Sequence, residues 1–331
     1  MNYEYEDLGN GLSLPCIHMD LTHAPVENLK SEIFRIIDEK GGLLFRDAGL
    51  FTPKKYSEFL ARINFCHHSY VGGTAPRTDL GDGIYTATDL PADFTVMPHQ
   101  EMTYLDNAPD YISFYCYEPP SNGQKTQLLA DVRALEDQLP WDLKKRYQGK
   151  RARLRRILPP EGSAEVLARR EKSWQEMIGV KEKEQALEIG DLRGWDLQWT
   201  EGDYLVIEQE PARFFRDHPV HGEIWCNQGL AAQPLQRLLV AEIDCRSADA
   251  QRLRTTIAEN TDHTDVMIME DGSRVPDGDV STWFELCLAA KTEYALDRGE
   301  IIILDNMLMA HGRSTFTGTR TMYTALGDRC R

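Results

Sequence analysis

No run of apolar residues in the chain approaches the roughly 20 that a membrane-spanning helix needs, so no membrane association is expected. The N-terminal MNYEYEDLGNGLSLPCIHMDL lacks a basic stretch followed by an apolar one, which argues against a secretory leader. Cysteine is sparse and scattered, at 16, 66, 116, 226, 245, 287 and 330. An odd number with no CxxC pair argues against a disulfide framework or a zinc knuckle and fits a reducing cytoplasm. Positive charge is in short supply too: 37 Lys and Arg against 53 Asp and Glu leave a formal net charge of −16. A general nucleic-acid binder carries the opposite sign, so no nucleic-acid partner is expected. Neither an internal repeat nor a low-complexity linker is visible.

What is present reads as an ordinary globular chain, 41% hydrophobic and 27% charged. Residues 25–40 carry Val26, Leu29, Ile33, Ile36 and Ile37 at helical spacing, stopped by Gly41-Gly42. Residues 42–47 read as a strand and Pro53 to Asn64 as a second helix. GIYTATD (83–89) and YISFYCYE (111–118) are aromatic and β-branched, hence strands. Asp131 is placed to cap a helix running to about Leu139. Residues 160–190 look helical and polar, 196–210 and 222–228 look like short strands, and Val280 to Ala295 looks like an amphipathic helix. GEIIILDN (299–306) and RTMYTALGD (320–328) close the chain as strands. Helices first, then strands broken by a helical insert, do not suit an alternating parallel α/β sheet. The order suits a mostly β fold with flanking helices around a double-stranded β-helix, or jelly roll. The expectation is one domain over 1–331 with a helical insert at about 158–192.

MPHQEMTY (97–104) sets His99 and Glu101 two residues apart. On an extended strand such residues face the same side, so an imidazole and a carboxylate can reach one point. The best candidate for a third ligand is His311 in DNMLMAHGRSTF (305–316), just past the apolar strand. Two histidines and one carboxylate form the facial triad of non-haem iron oxygenases. Two alternatives stand beside it: a zinc hydrolase, although zincins place their ligands on a helix as HExxH, and a non-catalytic cupin-like binding module. His67, His68, His218 and His221 are read as structural. Trp174 is read as a packing residue in preference to part of a lid.

MPHQEMTY and DNMLMAHGRSTFTGTR resemble the two ends of the iron site in the TauD/TfdA family, and more narrowly in its SyrP-like branch. TAPRTDLGDGIYTATD (74–89), YISFYCYEPPSNGQKTQLLAD (111–131), KSWQE (172–176), HPVHGEIWCNQ (218–228) and DGSRVPDG (271–278) carry the same resemblance in order. It implies a jelly roll of the clavaminate synthase-like type, using Fe(II), 2-oxoglutarate and O2 to oxidise an unactivated C–H. It also implies that Arg320 grips the distal carboxylate of 2-oxoglutarate with help from Thr126; a guanidinium suits that task because it binds a carboxylate bidentately. Arg313 and Arg329 are the rival arginines. Where taurine-oxidising members carry a second arginine this chain has Thr324, so a sulfonate substrate is not expected. Glu101 stands where related halogenases have a small residue, so hydroxylation is favoured over halogenation. The implied substrate is an amino acid or a derivative, free or held on a carrier protein, in secondary metabolism, with Arg77 and Arg313 as candidate substrate contacts.

One segment breaks the acidic pattern. KKRYQGKRARLRR (144–156) holds eight basic residues in thirteen and no acid. Lys144, Lys145, Arg146, Lys150, Arg151, Arg153, Arg155 and Arg156 are therefore a candidate dock for an acidic carrier protein. The alternative is a solvated strand edge, kept from edge-to-edge pairing by its charge.

Overall fold

The computed structural model describes residues 2–167, 171–226, 232–259 and 265–329. Its strands are, in order, β1 (Glu4–Gly9), β2 (Leu12–His18), β3 (Gly42–Arg46), β4 (Cys66–His67), β5 (Asp79–Gly81), β6 (Ile84–Thr86), β7 (Val96–His99), β8 (Tyr111–Glu118), β9 (Gln127–Asp131) and β10 (Arg151–Leu158). They continue with β11 (Asp196–Trp199), β12 (Leu205–Glu208), β13 (Ala212–Arg213), β14 (Phe215–His218), β15 (Gly222–Trp225), β16 (Val266–Met269), β17 (Thr292–Tyr294), β18 (Ile301–Asp305), β19 (Met309–Arg313) and β20 (Thr321–Asp328). The helices are α1 (Lys30–Lys40), α2 (Pro53–Arg62), α3 (Val132–Gln138), α4 (Trp141–Tyr147), α5 (Ala164–Leu167), α6 (Trp174–Ile178), α7 (Lys183–Arg193), α8 (Pro234–Ile243), α9 (Ser247–Glu259) and α10 (Asp277–Ala290).

Two sheets make the jelly roll. The larger runs β1-β2-β3-β18-β8-β20-β6-β5, with β4 on β20; the smaller runs β17-β9-β19-β7. Strand β18 lies between β3 and β8, and all five of its residues are buried. An unbroken apolar run is what a strand covered on both faces requires. On one side α1 packs with Ile33, Ile36 and Ile37 buried, and Gly41, at φ 95°, ends it in a left-handed turn that only glycine enters freely. Asp131 caps α3 by accepting from the Arg133 amide at 2.9 Å. Thr52 caps α2 in the same way, from Lys55 at 3.2 Å.

Several expectations need correction. The strand carrying the HxE pair stops at His99, and Glu101 sits in the turn that follows. The helix expected over Val280–Ala295 ends at Ala290, because Thr292 and Tyr294 turn inward and pair with β9 as β17. The β1–β2 hairpin and the α8–α9 pair were not anticipated. The polar region 160–190 divides into three short helices, with residues 168–170 outside the described residues; of the expected 222–228 strand, Asn227 and Gln228 also lie outside them. Trp174 is buried and meets Trp199 edge-on at 5.0 Å, which makes it a packing residue. Five described cysteines are free, but Cys66 is disulfide-bonded, so the chain is not without a disulfide. No helix among the described residues is long and apolar enough to cross a membrane.

The basic segment does not form one strip. Lys144, Lys145 and Arg146 end α4, whereas β10 is an interior strand between β12 and β13 on one side and β16 on the other. It is therefore not a sheet edge. Arg153 and Arg155 meet Glu208 at 3.2 and 3.6 Å, and Arg151 meets Glu270 at 3.7 Å. Arg156 points to the opposite, buried face and pairs with Asp265 at 3.2 Å. Lys144 pairs with Glu136 at 3.4 Å and Arg146 with Asp279. Lys145 instead covers the exposed ring of Trp141 at 4.8 Å.

Lys172, at the start of the insert's KSWQE segment, is buried over the ring of Tyr70 at 4.2 Å. Burial pushes its ammonium down to about 7, with Arg77 and Arg156 adding to the effect. The folded chain thus releases this proton near pH 7, and the unfolded chain only near about 10.4. Between those values unfolding takes up a proton, so stability rises with pH. The wild type should gain stability over Lys172→Met as pH rises from about 7 to 10, read from urea midpoints. A pH-independent difference would contradict the burial of a strained ammonium.

Candidate metal centre and cosubstrate pocket

The site is assembled by the smaller sheet. β19 lies between β9 and β7, and His311 stands directly opposite His99. Gly312 permits this pairing: a Cβ there would come within 2.2 Å of the Val96 carbonyl. Glu101, past the end of β7, is placed through its backbone. Asn306, fully buried, accepts from the Glu101 amide at 2.7 Å and donates to the Glu101 carbonyl at 2.9 Å and to Pro109 O at 2.8 Å. Gln100 turns the other way and donates to Trp225 O at 3.1 Å. Sequence reasoning missed Asn306; the Asp-Asn pair that ends the apolar β18 was the available signal.

The Glu101 Oε2 atom lies 3.5 Å from His311 Nε2 and 3.8 Å from His99 Nε2. The three side chains can offer ligand atoms that all lie within 4.8 Å of one another. His99 Nδ1 is 3.0 Å from Met97 O; donating there leaves Nε2 with its lone pair facing Glu101. Both ring nitrogens of buried His311 lack a hydrogen-bond partner among the described residues. Burial pushes His311 down to about 4, so it is neutral at physiological pH. Burial would raise the Glu101 carboxyl, but Arg77 and the two histidines outweigh it and hold it well below the usual range. An anionic oxygen and two imidazole nitrogens, that of His311 without a hydrogen-bond partner among the described residues, are the donor set that a facial-triad iron takes. The residues present fit the metal.

Arg77 donates to Glu101 Oε2 at 2.6 Å, with both side chains almost wholly buried, and its guanidinium lies over Tyr70 at 4.4 Å. The expected substrate contact is therefore engaged with the carboxylate of the triad. Arg313 is also occupied: it donates to the carbonyls of Leu90, Pro91 and Phe94 at 3.0, 2.6 and 2.7 Å, tying that loop to β19. Arg329, the other rival, meets Asp38, Asp110 and Asp305 at 3.0, 2.7 and 2.6 Å. Its guanidinium lies in a second group of possible ligands, Asp38, His218 and Asp305. The charge there is already offset, and His218, 2.9 Å from Asp305, belongs to this structural network. His68 likewise pairs with Asp328 at 2.9 Å, and His221 lies 3.0 Å from Glu39 O.

Arg320 is different. Its Nε donates to Thr126 Oγ1 at 2.9 Å, and among the described residues no carboxylate pairs with it. Burial pushes this guanidinium down to about 10. Thr126 is itself fully buried, immediately before β9. Arg320 lines a cavity of about 250 Å³ that is also lined by His99, His311, Phe114 and Tyr294. A part-buried cation with no carboxylate partner among the described residues, in a cavity shared with His99 and His311, leaves room for an anion that reaches both. Thr324 is buried and donates to Ser113 O at 2.9 Å.

A jelly roll with this cluster at one end of its smaller sheet defines the class, and the comparisons with known proteins name it. The sequence pattern described as "Taurine catabolism dioxygenase TauD, TfdA family" matches residues 4–326. The chain belongs to that family and is a 2-oxoglutarate-dependent oxygenase, which uses Fe(II), 2-oxoglutarate and O2. It is 24% identical over 308 residues to the dapdiamide synthesis protein DdaC of Enterobacter agglomerans, covering 93% of this chain and 86% of that protein. It is 22% identical over 320 residues to the clavaminate synthase-like protein At3g21360 of Arabidopsis thaliana, covering 95% and 90%. The fold matches a crystal structure of a taurine dioxygenase from Burkholderia xenovorans with a TM-score of 0.53 and 14% identity, over 98% of this chain and 90% of that one. It also matches AAD-2 in complex with Mn(II) and N-oxalylglycine, with a TM-score of 0.55 and 14% identity, over 100% and 98%.

Arg77 offsets the buried charge of Glu101, and a divalent ion held there would do the same. Removing one partner of such a pair costs about 3–5 kcal/mol, so Arg77→Gln should destabilise the metal-free protein by that order. Saturating Mn(II) should then raise the melting temperature more in the variant than in the wild type, because binding restores part of the lost compensation. An equal or smaller rise in the variant would show that Arg77 does not act through Glu101.

Proposed function

We propose that His99, Glu101 and His311 hold the iron, that Arg320 and Thr126 hold the distal carboxylate of 2-oxoglutarate, and that the enzyme hydroxylates an amino acid or a close derivative. The observation that carries the site is Arg320, a part-buried guanidinium with a threonine hydroxyl and the Phe316 ring against it and no carboxylate paired with it among the described residues, in the cavity that the two histidines line. When bound, the iron supplies O2 activation coupled to decarboxylation of 2-oxoglutarate. The balance is R–H, O2 and 2-oxoglutarate in, R–OH, succinate and CO2 out. The chain's own contribution is placement. His99, Glu101 and His311 would hold the metal and leave the cavity side open to the cosubstrate. Arg320 and Thr126 fix the cosubstrate's far end, while Phe114 and Tyr294 wall the cavity with apolar surface. Glu101 supplies a carboxylate where a halogenase needs space for halide, which favours hydroxylation.

The amino-acid substrate rests on the resemblance to the SyrP-like branch and on the likeness to a protein named for dapdiamide synthesis. That likeness also supports a role in secondary metabolism. Delivery on a carrier protein has less support. Six of the eight basic residues proposed for that dock already face carboxylates, leaving Lys145 and Lys150 outside any close ion pair among the described residues. These pairings favour a free substrate.

Anaerobic addition of Fe(II) and 2-oxoglutarate should produce the weak visible charge-transfer band of their chelate. Arg320→Gln should weaken 2-oxoglutarate binding in that titration by about 30-fold to several-thousand-fold, the loss of a charge-assisted contact worth roughly 2–5 kcal/mol. Arg313→Gln should have a far smaller effect, its donors being spent on carbonyls. No band in the wild type, or the reverse ranking of the two variants, would overturn the assignment.

A further inference from the structure

The cavity that reaches the two histidines extends to a wall of a different kind, contributed by the insert, β10, α8, α9 and the residue before β16. Arg156, Glu171, Arg237 and Asp265 line it together with His99 and His311. A smaller annex of about 100 Å³ adjoins it, lined by Glu171, Arg237, Arg252, Leu253, Thr256 and Asp265 among others. Neither the metal triad nor the cosubstrate contacts use these residues.

The charges on this wall are interleaved and balanced. Arg237 pairs with Glu171 at 2.8 Å, Arg156 with Asp265 at 3.2 Å, and Arg252 with Asp249 at 3.7 Å. Each pair closes through a single guanidinium nitrogen. A guanidinium has five N–H donors in a fork, so Arg237 retains donors after binding Glu171 Oε1 through one nitrogen. Both members of that pair are only partly buried, which leaves them open to a ligand. In a chain of net charge −16 such a wall would attract an anion if its arginines were in excess. Arg246, which also lines the cavity, is offset by Asp244 and Asp249 at 3.4 and 2.7 Å, so among the described residues four guanidiniums meet four carboxylates and favour neither a net anion nor a net cation. The ligand that complements them carries both charges close together. The same cavity is lined by the apolar side chains of Phe94, Phe114, Val240 and Leu253.

From this we infer that the wall of Glu171, Arg237, Arg252 and Asp265 is the head-group site for a free zwitterionic α-amino acid, whose apolar side chain runs toward His99 and His311. Its carboxylate meets Arg237 and Arg252, and its ammonium meets Glu171 and Asp265. The inference rests on the oxygenase reading above and deepens it. It requires a free carboxylate, which a carrier thioester lacks.

The test uses wild-type protein loaded anaerobically with Fe(II) and 2-oxoglutarate, so that the chelate band reports the metal end separately. L-leucine, L-methionine and L-phenylalanine are titrated in, alongside their amides, which lack the carboxylate, and the matching carboxylic acids without the ammonium. At least one of the three amino acids should perturb the band, and its two analogues should bind at least about tenfold more weakly. Glu171→Gln and Arg237→Gln should weaken that amino acid by a similar factor and narrow the gap between it and its analogues. A purely structural pair of charges would not change that selectivity. Analogues that bind as well as the amino acid, variants with unchanged selectivity, or no response to any of the three would each overturn the inference. Failure of the band to form in the wild type would instead count against the oxygenase site.

Discussion

The structure turns on one buried negative charge. Glu101 is removed from water beside Arg77 and the imidazoles of His99 and His311, and a carboxylate so placed is tolerable only with compensation. Arg77 supplies part of it and is itself steadied over Tyr70, whose other close cation is Lys172 of the insert. The insert is thereby linked to Glu101 through a short chain of contacts. Asn306 meanwhile fixes the Glu101 backbone, so the carboxylate is held from both its ends.

Around that charge the jelly roll contributes precision of position. The pairing of β19 with β7 brings His311 opposite His99, and the absence of a side chain at Gly312 lets the two backbones approach. Arg313, one residue on, clamps the loop at 90–94 that borders the cavity. Arg320 then enters at the start of β20, beside Thr126 at the start of β9. Two strands of different sheets thus deliver the pair proposed for the cosubstrate.

Much of this was legible in the residues. The apolar run at 301–304, the β-branched and aromatic run at 111–118 and the helix ending at Gly41 were all readable, because each has one dominant local cause. The candidate triad was also readable, although one step of the reasoning was wrong: His99 and Glu101 converge across a turn and not along a strand. Arg77 could not be placed, since a sequence does not reveal which of several carboxylates an arginine meets. The basic segment misled for the same reason. Its acidic partners, Glu208, Asp265, Glu270 and Asp279, are distant in the chain and arrive only through sheet pairing and helix packing. Strand β17 was lost inside a helical pattern because three residues are too few to announce a change of period.

The central claim is the identity of the metal ligands, and equilibrium Fe(II) binding under anaerobic conditions tests it most directly. His99→Ala and His311→Ala should each lose tight binding, whereas His218→Ala, in the network filled by Arg329, should bind iron as the wild type does. Retained affinity in His311→Ala together with loss in His218→Ala would move the metal to the other cluster and contradict the account.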